Sequence, residues 1–291
     1  MKTCLITGAN SGIGKSAAKQ IAQKGYRVLL VCRSLEKGLA TQEELAKETQ
    51  NQEIKLYQAD LSLMRDVHTL SQQVMHDWGT LDVLINNAAD FDLSRKEPAF
   101  SEEGYEVQFA TNTVAPFLLT NLLLPAMQSQ ADARVINISS KGLTLYPNIK
   151  LDTEKLVSPE NYSPSKTYYQ TKLALLMNSL YLRRQLEGTS VSVHAVRVTN
   201  VKVDINRYSN ISPVLKGLYK IKSQFSMSPD AMAEAYTALS TEEKRAGFYF
   251  DEKLNEVQCN KSAYDVEMQE KLWTRCQEIT KLQFTLFQFK H

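Results

Sequence analysis

Tyr162-Ser-Pro-Ser-Lys166 and Tyr168-Tyr-Gln-Thr-Lys172 each place a tyrosine four residues before a lysine. That spacing does chemistry only inside a helix, where residues i and i+4 share a face one turn apart. A phenol, with a pKa of about 10, is a poor base near neutrality. An ammonium beside it favours phenolate and brings it towards a working range for proton transfer. Ser163-Pro164 reads as a helix start, with serine as cap and proline at the first helical position. Tyr162 then precedes the helix, kept from helical geometry by the chain around Pro164. Tyr168 and Lys172 fall within it, ahead of Leu173-Ala-Leu-Leu-Met177, so the helix favours the second pair. Ser139-Ser140 adds hydroxyls able to donate to an oxygen as it gains charge.

A second chemistry sits at the start of the chain. Gly8, Gly12 and Gly14 stand at G-x-x-x-G-x-G spacing in Thr7-Gly-Ala-Asn10-Ser11-Gly-Ile13-Gly14. Glycine there allows a tight turn and lets backbone N–H groups approach a pyrophosphate. An apolar strand precedes the turn; a helix and a second strand, Arg27 to Cys32, follow, which is the order a dinucleotide-binding βαβ unit requires. The helix adds unpaired N–H groups and the positive end of its dipole. An NAD site usually places a carboxylate at the end of the second strand for the ribose 2′-hydroxyl. Here that place holds Cys32-Arg33, and a guanidinium suits a 2′-phosphate. The expected cofactor is NADP(H), preferred over NAD(H).

Alternation of strands and helices must position both sets. Strands are expected at residues 54–59, 81–85, 134–138, 191–198 and 248–250 after the first two, with helices at 35–50, after Asp60, from Ser101 to about Met127, at 164–186, from Ser228 and over about 263–280. Pro116 suggests a kink or break in its helix. This predicts an α/β fold: a single-domain Rossmann-type, doubly wound parallel sheet of about seven strands with helices on both faces. The domain spans 1–281, with an aromatic tail at 282–291. Ligands on such sheets bind beyond the carboxyl ends of the strands, which directs attention to Asp60, Asn86-Asn87, Ser139-Ser140 and the residues after Val198.

Composition narrows the function classes. The chain has 291 residues, 43% apolar, with 34 basic and 32 acidic side chains. A net charge of +2 provides no nucleic-acid footprint. The four cysteines form no CxxC pair and are expected to be reduced thiols; the four histidines lack metal-ligand spacing, and no metal is expected. The first strand begins almost at Met1, no apolar run reads as long enough to cross a bilayer, and the expected location is cytoplasmic. The basic, apolar stretch 215–222 and the aromatic tail (Phe284, Phe287, Phe289) leave membrane-surface contact as a minor reading beside a substrate lid and a docked tail. A homo-oligomer is compatible with the sequence.

Thr7 to Gly14, Asn86-Asn-Ala-Ala89, the serine pair and Tyr-x-x-x-Lys together resemble the short-chain dehydrogenase/reductase family over nearly the whole chain. Asn112-Thr-Val-Ala-Pro-Phe-Leu-Leu-Thr120, Cys32-Arg33 and the segment from Tyr249-Phe250 to Trp273 resemble its retinol-dehydrogenase-like branch, whose enzymes act on retinoids and other lipophilic carbonyls. The resemblance implies an oxidoreductase for a small alcohol or carbonyl. Asp60 and Leu61 would flank the adenine, Asn87 and Ala88 the adenosine ribose. Ser140 would hydrogen-bond the carbonyl, Tyr168 transfer the proton, and Lys172 hold the nicotinamide ribose and lower the tyrosine pKa. Asn112 would support a water chain to Lys172. Three positions depart from the pattern: Val198-Thr199 replaces Pro-Gly, Val203 stands where a threonine or serine often touches the carboxamide, and Ala89 replaces glycine. A cofactor-binding regulatory or scaffold protein is the competing reading, since fold does not fix function; the complete Ser–Tyr–Lys–Asn set favours the enzyme.

Overall fold

Alternate residues of each strand feed two separate cores, because successive side chains of a strand point to opposite faces. Leu5, Leu29, Leu84, Val135 and Val193 join one core; Cys4, Ile6, Leu30, Ile85, Ile136 and Val196 join the other. A sheet buried on both faces in this way needs helices on both sides. In the computed structural model, residues 1–92, 94–157, 159, 162–202, 226–242 and 245–282 are described.

The elements follow the expected alternation. They are β1 (Thr3–Thr7), α1 (Gly12–Gln23), β2 (Arg27–Cys32), α2 (Leu35–Thr49), β3 (Ile54–Gln58), α3 (Met64–Trp78) and β4 (Val83–Asn86). Next come α4 (Val107–Phe109), a π-helical turn (Ala110–Val114), α5 (Ala115–Gln128), β5 (Ala133–Ser140), a 3-10 turn (Lys141–Leu145) and α6 (Thr153–Val157). The last are α7 (Pro164–Gln185), β6 (Val191–Val198), α8 (Pro229–Thr241), β7 (Tyr249–Phe250) and α9 (Val266–Thr280). The seven strands are parallel, in the order β3-β2-β1-β4-β5-β6-β7. The order reverses between β1 and β4, so a crevice opens at the carboxyl ends there. The register sets Thr7 beside Val31, and Asn86 beside Asn137.

Four expectations change. Ser101 does not start a helix: Gly104 turns the chain at φ +81°, and Glu106 caps Phe109 N–H instead. The acidic residue Glu103 serves another helix, accepting from Met64 and Arg65 N–H at 2.7 and 3.1 Å at the start of α3. Pro116 does not break its helix: the chain stays helical from Val107 to Gln128, and the irregularity is the wide π turn at Ala110–Val114 just before the proline. β5 runs on through both serines. Finally, Val107–Gln128 is a helix long and apolar enough to cross a membrane, although 83% of its most apolar stretch is buried within the protein. That burial accounts for its composition, since a helix apolar all round is a core helix as readily as a span.

The final helix closes the core beside α5 and α7. Trp273 meets Phe117 edge-on at 4.7 Å and stacks on Tyr181 at 4.5 Å. All four cysteines are buried free thiols. Val203, the stretch 215–222 and the aromatic tail at 284–289 lie outside the described residues.

Candidate active site

The glycine turn after β1 is built to keep side chains out. Gly8 and Gly12 adopt φ +65° and +54°, which side-chain-bearing residues rarely take. A Cβ on Gly14 would fall 2.5 Å from both Asn87 Nδ2 and Gly8 O. Asn87 holds the turn from β4: its amide donates to Thr7 O at 2.9 Å and Gly8 O at 3.3 Å. Asn87 and Ala88 N–H both donate to Thr7 Oγ1 at 3.0 Å. Ser11, exposed at the N-cap of α1, makes no side-chain cap bond, and the first turn of α1 contains no acidic residue. This N-terminus therefore fits an anion, and the glycines fit a pyrophosphate lying across them. Asn10 and Ile13 flank it within the same turn.

The other strand ends line the crevice. Arg33 follows β2, exposed, and its guanidinium has no acidic partner among the described residues. Asp60 follows β3; its Oδ1 accepts from Ser62 N and Oγ at 2.9 and 2.8 Å, fixing a turn that buries Leu61. Ser139 is 1% exposed and faces the core, whereas Ser140 is partly open. The alternation of β5 thus separates two serines that spacing alone leaves equal.

Helix α7 begins at Pro164 with Ser163 as N-cap, leaving Tyr162 before it and Tyr168 and Lys172 inside. Lys172 Nζ lies 5.7 Å from the centre of the Tyr168 ring and donates to Ile138 O at 2.8 Å. Burial pushes the Lys172 ammonium down to about 7, because the charged form loses its water. Lys166 of the other tyrosine–lysine pair is exposed. Phe91 covers the Tyr168 ring at 4.2 Å.

Asn112 occupies the π turn. It accepts from Asp90 N–H at 2.8 Å and donates to Asp90 O at 3.0 Å and Thr171 Oγ1 at 3.1 Å. Thr171 in turn donates to Tyr168 O at 2.7 Å. The wide turn thereby ties the loop after β4 to the segment of α7 between Tyr168 and Lys172. π turns of this kind recur at functional sites.

The sequence model of the short chain dehydrogenase family matches residues 2–151. Retinol dehydrogenase 13 of Homo sapiens is 30% identical over 295 residues, covering 97% of this chain and 85% of that one. Retinol dehydrogenase 14 of Homo sapiens is 33% identical over 289 residues, covering 94% and 84%. The chain belongs to the short-chain dehydrogenase/reductase family. Among solved structures, the chain is similar to a protein from Mycobacterium paratuberculosis, with TM-score 0.73, 25% identity and coverage of 98% and 95%. It shares its fold with the L-sorbose reductase of Gluconobacter frateurii, crystallised with NADPH and L-sorbose, at TM-score 0.69, 19% identity and coverage of 88% and 97%. Within the family its curated relatives place it in the retinol-dehydrogenase-like branch.

Several residues around the candidate site carried no sequence signal. Asp90 is clamped by Arg95, whose Nη1 and Nη2 lie 2.6 and 3.3 Å from its two carboxylate oxygens. This fork holds the loop that carries Phe91 and receives Asn112. Glu106 is fully buried nearby; burial raises its carboxyl to about 7, against the Phe109 and Gln108 N–H groups that favour the ionised form. An alternation of charges around a loop gives no hint of which pair will close it, so only the fold brings Asp90 and Arg95 into view.

Proposed function

We propose that the protein is an NADP(H)-dependent oxidoreductase that interconverts an alcohol and a carbonyl group on a lipophilic small molecule. The observation that carries this is the buried Lys172 ammonium one turn from Tyr168, in a chain whose glycine turn after β1 suits a pyrophosphate. A dinucleotide sensor needs the glycine turn but has no use for a desolvated lysine beside a phenol. In the relatives' names, retinol dehydrogenase gives the substrate class its direction; the cation at Arg33 favours the phosphorylated cofactor, and the L-sorbose reductase of like fold was crystallised with NADPH.

When bound, the cofactor supplies or removes a hydride. The chain's own residues do the rest. Gly8, Asn10, Ser11, Gly12, Ile13 and Gly14 receive the pyrophosphate, Arg33 the 2′-phosphate, Asp60 and Leu61 the adenine, and Asn87 and Ala88 the adenosine ribose. Ser140 donates to the carbonyl oxygen as negative charge develops there. Tyr168 gives that oxygen its proton on reduction and takes it back on oxidation. Lys172 holds the nicotinamide ribose and favours the phenolate of Tyr168. Asn112 keeps the loop and α7 in place and would support the water chain through which Lys172 exchanges its proton.

The cofactor reading is tested by titrating NADPH and NADH into the wild type and Arg33→Ala. The wild type is expected to bind NADPH more tightly, and the substitution to weaken NADPH by about tenfold while sparing NADH, as expected for one lost charge-assisted contact. Equal wild-type affinities would remove Arg33 from the cofactor site. A panel of aldehydes and ketones with NADPH then tests the activity itself.

The serines offer a second test. Ser140→Ala is expected to lower kcat by about 10²-fold, the scale of losing one donor to a developing oxyanion. Ser139→Ala, behind the strand, is expected to act on stability and leave kcat nearly intact. The reverse order in steady-state kinetics would transfer the role to Ser139.

A further inference from the structure

Gly142 lacks a side chain at a place that another residue's hydroxyl has taken. It lies in the 3-10 turn directly after β5, and a Cβ built on it would fall well inside contact distance of the Tyr169 hydroxyl, with Tyr169 Cε1 and Cζ each 2.5 Å away. The Tyr169 ring is wedged there, tilted against Tyr146 at 4.9 Å and edge-on to Tyr168 at 5.2 Å. Gly142 also donates its N–H to Ser140 Oγ at 3.2 Å. Thus the residue that contacts Ser140 through its backbone makes room, by having no side chain, for the hydroxyl of Tyr169.

We propose that Tyr169 is a positioning residue for Ser140: its phenol donates to Ser140 Oγ and, with Gly142 N–H, fixes the serine proton towards the substrate oxygen. A serine hydroxyl has one proton and two lone pairs, and its proton turns to suit its neighbours. With one lone pair taken by Gly142 N–H and the other by the Tyr169 phenol, the proton has only the cleft left to face. Such a donor is set before the reaction and costs no reorganisation as the oxyanion forms. Burial raises the Tyr169 phenol above the ordinary value, with Tyr146 adding to the rise, so it keeps its proton at working pH and is suited to donate; Ser140 acts against that rise only by donating to a phenolate, an arrangement that the neutral phenol reverses. This inference rests on the proposed oxidoreductase reading, in which Ser140 meets the substrate oxygen.

The test compares the wild type with Ser140→Ala, Tyr168→Phe, Tyr169→Phe, Gly142→Ala and Ser140→Ala/Tyr169→Phe, measuring kcat, KM and NADPH Kd on a carbonyl substrate. Tyr169→Phe is expected to lower kcat by about tenfold, the scale of one hydrogen bond realised in the transition state, with KM and NADPH Kd unchanged. Gly142→Ala keeps both hydroxyls but forces the tyrosine aside, and is expected to give the same drop. In the Ser140→Ala background, Tyr169→Phe is expected to cost nothing further. A merely structural role would multiply the two losses and shift KM or NADPH binding. An undiminished kcat in both Tyr169→Phe and Gly142→Ala, or multiplying losses in the double variant, overturns the proposal while Tyr168→Phe stays inactive. A silent wild type, or full turnover by Tyr168→Phe, overturns the oxidoreductase reading and takes this proposal with it.

Discussion

Tyr168→Phe is expected to lower turnover by about 10²–10⁴-fold, the range that a positioned general acid contributes, while NADPH binding persists. The argument runs from the helix start. Ser163 caps and Pro164 opens α7, so Tyr168 and Lys172 share one of its faces, and the ammonium lies 5.7 Å from the ring centre. Phenylalanine keeps that ring, its contact with Phe91 at 4.2 Å and the local packing, and removes only the transferable proton. Tyr162→Phe provides the contrast. That phenol lies ahead of the helix, raised above its ordinary value by burial first and then by Glu106, with Arg95 acting against both. Losing it leaves the Arg95–Asp90 fork in place, so most of the turnover is expected to survive. Stopped-flow reduction of one aldehyde by both variants, with NADPH binding followed by fluorescence, decides the matter. A dead Tyr162→Phe beside a normal Tyr168→Phe would transfer the role to the other tyrosine.

The part of this arrangement legible in the sequence is the part made by local rules. Gly8, Gly12 and Gly14 announce themselves because their backbone needs are intrinsic to glycine, and Ser163-Pro164 because a cap and a helix start are neighbours in the chain. Strand ends could be read too, since each strand is a short apolar run whose end is marked by polar residues such as Asp60 and Asn86-Asn87. What the sequence hides is long-range partner choice. Glu103 has the look of a first-turn acid for the helix that follows it, yet it caps α3, 39 residues back. The π turn at Ala110–Val114 leaves no mark because one extra residue in a single turn barely disturbs an apolar pattern that is buried all round. Tyr169 and Gly142 are 27 positions apart in number, and nothing in either residue type says that a missing side chain on one makes space for the hydroxyl of the other. Ser139 and Ser140 are intermediate: the alternation of a strand distinguishes them once β5 is known to continue through both.

Lys172→Met is expected to abolish most turnover and yet to raise the melting temperature near pH 7. Lys172 is 2% exposed, and burial pushes its ammonium down to about 7 from the ordinary 10.5. A folded-state value below the unfolded one means that the unfolded chain binds more protons between about pH 7 and 10.5, so this group makes the fold gain stability as pH rises through that window. The destabilisation is fully present below the lower value and gone above the upper one. Methionine fills nearly the same volume without a charge, which removes the penalty; against this, Ile138 O loses its 2.8 Å donor, a cost on the order of 1 kcal/mol. The net gain at pH 7 is expected to be on the order of 5 °C, from a few kcal/mol in a chain of this size, and to shrink steadily towards pH 10. NADPH should reverse the order, stabilising the wild type by mass action more than a variant that has lost its ribose-holding ammonium. Scanning calorimetry at pH 6, 7, 8, 9 and 10, with and without NADPH, measures both effects. A variant that melts below the wild type at pH 7, with a gap that does not change with pH, would mean that the lysine stabilises the fold through packing and its bond to Ile138, and that its burial stores no electrostatic cost for the site to use.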